Sequence, residues 1–288
     1  MPRQASPWRF DAIGTAWEIE TDEPLDERVR EDVARVIDDF DRQWSRFRDD
    51  SVVSGLAASG GRVRTPPDAA AMLGAYAELS EATEGAVNPL VGDALARRGY
   101  DSRYSMRDLG AQPAPERWAE LLTWDDDALS LSEPATIDVG ALGKGRLVDL
   151  VADVVRAEAG GRFVVDASGD MRVHGAPVRV ALEHPYDSRR AIGTIDVVDG
   201  ALCASAINRR AWGDGLHHVL DARTGIPVRA YAATWATAPT AMAADAVATA
   251  LFFDGGPELA HAWGADWVRM TTDGRVEWSP GSKAGLFT

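Results

Sequence analysis

Cysteine is nearly absent from this sequence: Cys203 stands alone in 288 residues, so no internal disulfide holds the fold and a reducing compartment is permitted. Lysine is almost as scarce. Lys144 and Lys283 are the only lysines among 30 basic residues, so a lysine inside a motif stands out. Basic charge is outnumbered by 45 acidic side chains, and the net charge of −15 argues against a protein that neutralises phosphate backbones. No nucleic-acid partner is expected. Long apolar runs are missing too: Met242 to Phe253 has about half the length needed to cross a bilayer and carries Asp245, so no integral membrane segment is expected. The first ten residues lack the apolar core of a secretory signal and no lipidation motif is evident, so a cytoplasmic protein is expected.

Neither a fixed-period repeat nor a low-complexity tract divides the chain, and residues 10–288 read as one domain after an N-terminal tail over 1–9. Leu25, Val29, Val33, Val36, Ile37, Phe40, Trp44 and Phe47 recur at three- and four-residue spacing, which predicts an amphipathic helix with an acidic outer face. A second helix is predicted after Pro67, with Met72, Leu73, Tyr76 and Leu79 inward. A third carries Leu147, Val148, Val151, Val154 and Val155 and stops at Gly160-Gly161. Trp17–Glu20, Arg162–Asp166, Val178–Leu182, Ile192–Val197 and Tyr231–Ala236 read as strands, and Asp273-Gly274 closes a late hairpin. Helices and strands mix without strict alternation, which predicts an α+β fold with a mainly antiparallel sheet flanked by helices.

Four segments carry candidate chemistry. Ile137 to Gly145 reads as a strand, a glycine-rich turn and a helix start, whose backbone amides suit an anion; glycines at 140, 143 and 145 match neither a P-loop nor a dinucleotide fingerprint, and a plain turn explains them equally well. Thr240 to Phe253 is apolar on every side except for Asp245 and Thr249, which are four apart and share one face. Two oxygen donors with a nearby carbonyl would suit Mg²⁺. Alternatively, Asp245 sits in the first helical turn and Thr249 bonds back to a carbonyl. His217 to Pro227 concentrates titratable groups, with His218 able to act as acid or base and Arg223 able to hold a phosphate. In Phe163 to Asp170, Gly169 would let the backbone approach a flat ligand, or simply make a turn.

Taken in order, these segments resemble the ApbE family of FAD:protein FMN transferases. Ser45-Arg46-Phe47 with Asp50-Ser51 looks like the family's early motif, and Asp138-Val139-Gly140 with Gly143-Lys144-Gly145 its central glycine-lysine motif. His218-Val219-Leu220-Asp221 with Arg223-Thr224-Gly225 is similar to its histidine strand and turn, and Asp245 with Thr249 falls where the family places metal ligands.

The resemblance implies an ApbE-like, T-fold-related single domain that uses Mg²⁺ and FAD. It further implies transfer of FMN to a Ser or Thr hydroxyl of an acceptor protein, with release of AMP. Hydrolysis of FAD to FMN and AMP, and flavin binding without catalysis, stay open as alternatives. His218 and Lys144 are implied as catalytic. Gly140, Gly143, Lys144, Ser168, Gly169 and Asp170 are implied in cofactor binding, as are Ser205, Arg223 and Thr224. Asp245, Thr249 and the carbonyl of Gly143 are implied as metal ligands.

Overall fold

Period-two alternation builds the sheet. Along Ala201–Ala206, Ala201 and Cys203 join the large core on one face while Leu202 joins a second core on the other. A computed structural model describes residues 7–287 of the chain. Its main sheet has eight strands: β1 (Trp8–Ala12), β2 (Thr15–Thr21), β3 (Phe163–Asp166), β4 (Asp170–His174), β5 (Ala201–Ala206), β6 (Tyr231–Ala238), β7 (Asp266–Thr271) and β8 (Val276–Trp278). They lie side by side in chain order, and every neighbouring pair is antiparallel. The expected α+β class with an antiparallel sheet is what the chain adopts. The first strand opens at Trp8, inside the stretch read as a tail, because Trp8 pairs with Ile19 across the hairpin and its ring meets Phe10. Residues 1–6 of that stretch lie outside the described residues.

Four longer helices, α1 (Glu27–Trp44), α2 (Ala69–Ala82), α3 (Gly143–Ala159) and α4 (Ala241–Ala250), share the large core with one sheet face. Asp26 caps α1 by accepting from the Val29 amide at 2.9 Å, and Val29, Val33, Ile37, Phe40 and Trp44 are its buried stripe. The other face is covered by the hairpin Val178–His184 and Asp187–Val197 with Gly285–Leu286 added to it. No helix among the described residues is long and apolar enough to cross a membrane.

One close approach positions the site. A Cβ on Gly145 would stand 2.2 Å from the Ala241 carbonyl oxygen and 2.7 Å from Asp245 Cβ, so only glycine lets the start of α3 lie against α4. Asp149 locks the same pair by accepting from the Ala241 and Met242 amides at 2.8 and 2.9 Å, which closes the N-terminus of α4. Lys144 and Asp245 are brought together by that packing.

Candidate active site

A cavity of about 1070 Å³ opens where the end of α1, the turn before α3, the β3–β4 turn, β5, the segment 209–220 and α4 converge. Gly140, Gly143, Lys144, Ser168, Asp170, Ser205, His218, Asp245 and Thr249 all line it. Residues from five separate segments of the sequence therefore meet at one site.

Its charged centre is Lys144 between two buried carboxylates. The Lys144 ammonium donates to the Ala167 carbonyl at 2.9 Å and lies 2.8 Å from Asp170 Oδ2. Burial opposes the Lys144 charge, but Asp170 and Asp245 outweigh it and hold its pKa above the ordinary lysine value. Asp245 is 4% exposed, and burial, then the Asp170 charge, push its carboxyl well above the ordinary range against the pull of Lys144. Its one hydrogen bond among the described residues comes from the Gly145 amide, at 2.9 Å. Cys203, also buried here, is held as the neutral thiol by burial and by the same two carboxylates.

The alternative account of α4 does not hold. Its first turn contains no acidic residue, because Thr240 is the cap and Asp245 lies beyond that turn. No hydrogen bond from the Thr249 hydroxyl to a carbonyl is found among the described residues, and Thr249 lines the cavity. Asp245 and Thr249, one helical turn apart, put a carboxylate and a hydroxyl on the cavity wall, oxygen donors of the kind a hard divalent cation takes beside water and substrate oxygens. Among the described residues no cluster of three or more His, Cys, Asp or Glu is found.

The glycine turn departs from expectation. Its amides are already used inside the protein: Gly140 donates to Asp138 Oδ1 at 2.7 Å, Ala141 to the Tyr76 hydroxyl at 3.2 Å, and Leu142 and Gly143 to the Val139 carbonyl at 3.2 and 2.7 Å. With the Gly145 amide on Asp245, this turn is a rigid frame for Lys144 and offers little free N–H to an anion. Asp138 anchors the frame, ion-paired to Arg46 with its carbonyl accepting from Tyr76 at 2.9 Å. Arg46 and Asp138 line the cavity, yet the sequence reading gave neither a role in it. The signal available was an arginine just past the end of an apolar helical stripe, where burial demands a partner.

His218 lines the cavity, and its Nδ1 has no hydrogen-bond partner among the described residues. Burial, then Arg210 and His217, push its pKa down to about 3, so the ring is neutral at pH 7. Because this lies below the unfolded value of about 6.5, the His218 contribution to stability is complete above that pH and is lost as pH falls toward the folded value. Urea denaturation between pH 7 and 4 is expected to show wild type losing up to about 1.4 kcal/mol per pH unit more than His218→Gln. Parallel profiles for the two proteins would refute a depressed imidazole.

Three expected site residues lie elsewhere. Arg223 and Thr224 line a separate hollow, with the Arg223 guanidinium gripping Asp221 at 2.7 Å, so its fork is occupied by a carboxylate two residues away. Gly169 does not line the cavity. It shares a tight turn with Ser168, at φ +101° and +54°, and its carbonyl accepts from the Ala204 amide at 3.0 Å.

The ApbE family model matches residues 13–267. The chain belongs to the ApbE family. Among relatives with a known activity, a Haemophilus influenzae FAD:protein FMN transferase is 27% identical over 254 residues, covering 78% of this chain and 72% of that protein. A Rhodobacter capsulatus FAD:protein FMN transferase is also 27% identical, over 96% of this chain, which spans only 57% of that longer protein. Two ApbE folds superpose closely: the Thermotoga maritima ApbE protein with a TM-score of 0.80 at 22% identity, and the Vibrio cholerae flavin transferase ApbE with 0.80 at 23%, each over 96% of this chain and 97% of the other. The ApbE fold thus extends through the cavity walls described above.

Proposed function

We propose that this chain transfers FMN from FAD to the hydroxyl of a Ser or Thr on an acceptor protein, in the presence of Mg²⁺ and with release of AMP. The observation that supports it most is the meeting of the Asp245–Thr249 helix face and the Lys144 turn in one cavity of about 1070 Å³, a size that suits a dinucleotide. Asp245, Thr249 and the carbonyl of Gly143 would hold the cation. When bound, it neutralises diphosphate charge, the main requirement of phosphoryl transfer.

The chain's own residues supply the rest. Lys144 keeps the buried Asp170 paired, which lowers the negative charge that meets an anionic diphosphate. The neutral His218 ring accepts the proton of the incoming hydroxyl as its oxygen bonds to the FMN phosphorus and the anhydride bond to AMP breaks. The acceptor brings the nucleophile, so no activated serine or cysteine is needed here, and the protonated Cys203 is consistent with that.

Incubation with FAD, Mg²⁺ and an acceptor known to be labelled by an active relative is expected to yield a fluorescent acceptor band and AMP in equal amounts. Free FMN and AMP without a band would replace transfer by FAD hydrolysis. Tight FAD binding without either product would leave a flavin-binding protein.

A further inference from the structure

Eight large apolar side chains stand in solvent among the described residues, and three of them fall within six positions of one loop: Tyr104 is 48% exposed, Met106 43% and Leu109 52%. Apolar surface gathered in this way marks an interaction site, which a lone exposed leucine does not. The loop, residues 99–110, runs beside the mouth of the large cavity, and Tyr104 and Met106 form part of the cavity wall.

Hydrogen bonds fix the shape of this loop. Asp101 accepts from the Arg103 and Ser105 amides at 2.9 and 3.0 Å, the Met106 amide reaches the Gly99 carbonyl at 2.9 Å, and the Leu109 amide reaches the Arg97 carbonyl at 2.8 Å. Tyr104 and Met106 sit at φ +49° and +53°, a left-handed conformation that any residue with a Cβ adopts at a cost. Two bulky apolar residues are thus held in solvent where glycine would fit more easily. The Tyr104 ring stacks on Phe47 at 5.3 Å, which holds it at the rim.

Charge selects the partner. Residues 97–110 carry four arginines against two aspartates, in a chain of net charge −15. Arg98 pairs with Asp108, while the exposed Arg97, Arg103 and Arg107 make no ion pair among the described residues. The loop is tied to the next part of the rim, where Arg210 donates to the Tyr100 hydroxyl at 3.0 Å and Trp212 Nε1 to the Arg98 carbonyl at 2.9 Å. A second copy docked here by two-fold symmetry would set arginine against arginine. An anionic membrane is broad enough to feel the whole acidic chain. A short acidic segment feels only the charges within a Debye length of about 8–10 Å, and those are basic here.

We infer that the 99–110 loop is the docking surface for the acceptor protein, and that it takes an acidic segment with apolar side chains next to the modified Ser or Thr. This rests on the flavin-transfer reading and adds to it where the acceptor lies and what chemistry recognises it. Acidic side chains meet Arg103 and Arg107, and apolar ones cover Met106 and Leu109, which leaves the hydroxyl at the cavity mouth.

Steady-state transfer with FAD, Mg²⁺ and the acceptor protein labelled by an active relative tests this, alongside calorimetric FAD affinity. The double variant Arg103→Glu, Arg107→Glu is expected to raise the KM for acceptor about tenfold or more, with kcat and FAD affinity unchanged. In wild type kcat/KM for acceptor should fall as salt rises from about 0.05 to 0.5 M, and the double variant should lose that dependence. Leu109→Ser is expected to raise the same KM about fivefold. Met106→Gly removes apolar contact and backbone strain together, so acceptor KM should rise while the thermal midpoint stays at or above that of wild type. Unchanged acceptor KM in the double variant overturns the surface, as does an equal loss of FAD affinity or a wild-type dimer that these variants dissociate. Wild type that binds FAD and labels no acceptor removes the flavin-transfer reading itself, a result distinct from any of these.

Discussion

Asp245→Asn is expected to lower FMN transfer by about a thousandfold while leaving the protein at least as stable as wild type. The first half follows from losing the only carboxylate proposed to hold the cation, with a loss on the scale of removing a group that stabilises transition-state charge. The second half follows from burial. Asparagine keeps an oxygen for the Gly145 amide and removes one of two carboxylates that share Lys144, which relieves a charge whose burial drives its pKa upward. Without metal, a midpoint increase of about 2 °C or more is expected in thermal unfolding. Activity and stability moving in opposite directions is the mark of a residue kept for function. Full turnover in this variant would remove Asp245 from the reaction.

Lys144→Met is expected to be the most destabilising single change in the site, by about 3 kcal/mol or more in urea denaturation. Methionine fills similar space, so packing is preserved and the loss isolates charge: Asp170 at 1% exposure and Asp245 at 4% would be left without their cation. Combining Lys144→Met with Asp170→Asn should restore most of the lost stability, because the surviving carboxylate then meets no like charge. Transfer stays absent in both. If the double variant is no more stable than the single, the destabilisation arises from packing and the lysine is not the counter-charge of this pair.

The elements most legible in the sequence were those with a strong period. The α1 stripe from Val29 to Trp44 and the strand pairs on either side of Asp273-Gly274 needed no tertiary information. Strand β5, Ala-Leu-Cys-Ala-Ser-Ala, sends apolar residues to a core on each face, so its residue types show no polar-apolar alternation to detect. At the site, Lys144 and Asp245 were visible as charges in the wrong company, one lysine in an arginine-rich chain and one carboxylate in an apolar helix. Arg223 misled because its preceding Asp221 satisfies it locally, an interaction that spacing alone does not separate from a ligand site.

The account stands on a divalent cation seated between α4 and the Lys144 turn. Crystals soaked in Mn²⁺ and FAD, measured at the manganese absorption edge, should give one anomalous peak within coordination distance of an Asp245 carboxylate oxygen, shared with the diphosphate, and no such peak in Asp245→Asn. Bound FAD with its diphosphate resting in this cavity and the metal peak elsewhere or missing, in crystals of an enzyme that turns over in the same buffer, would contradict it.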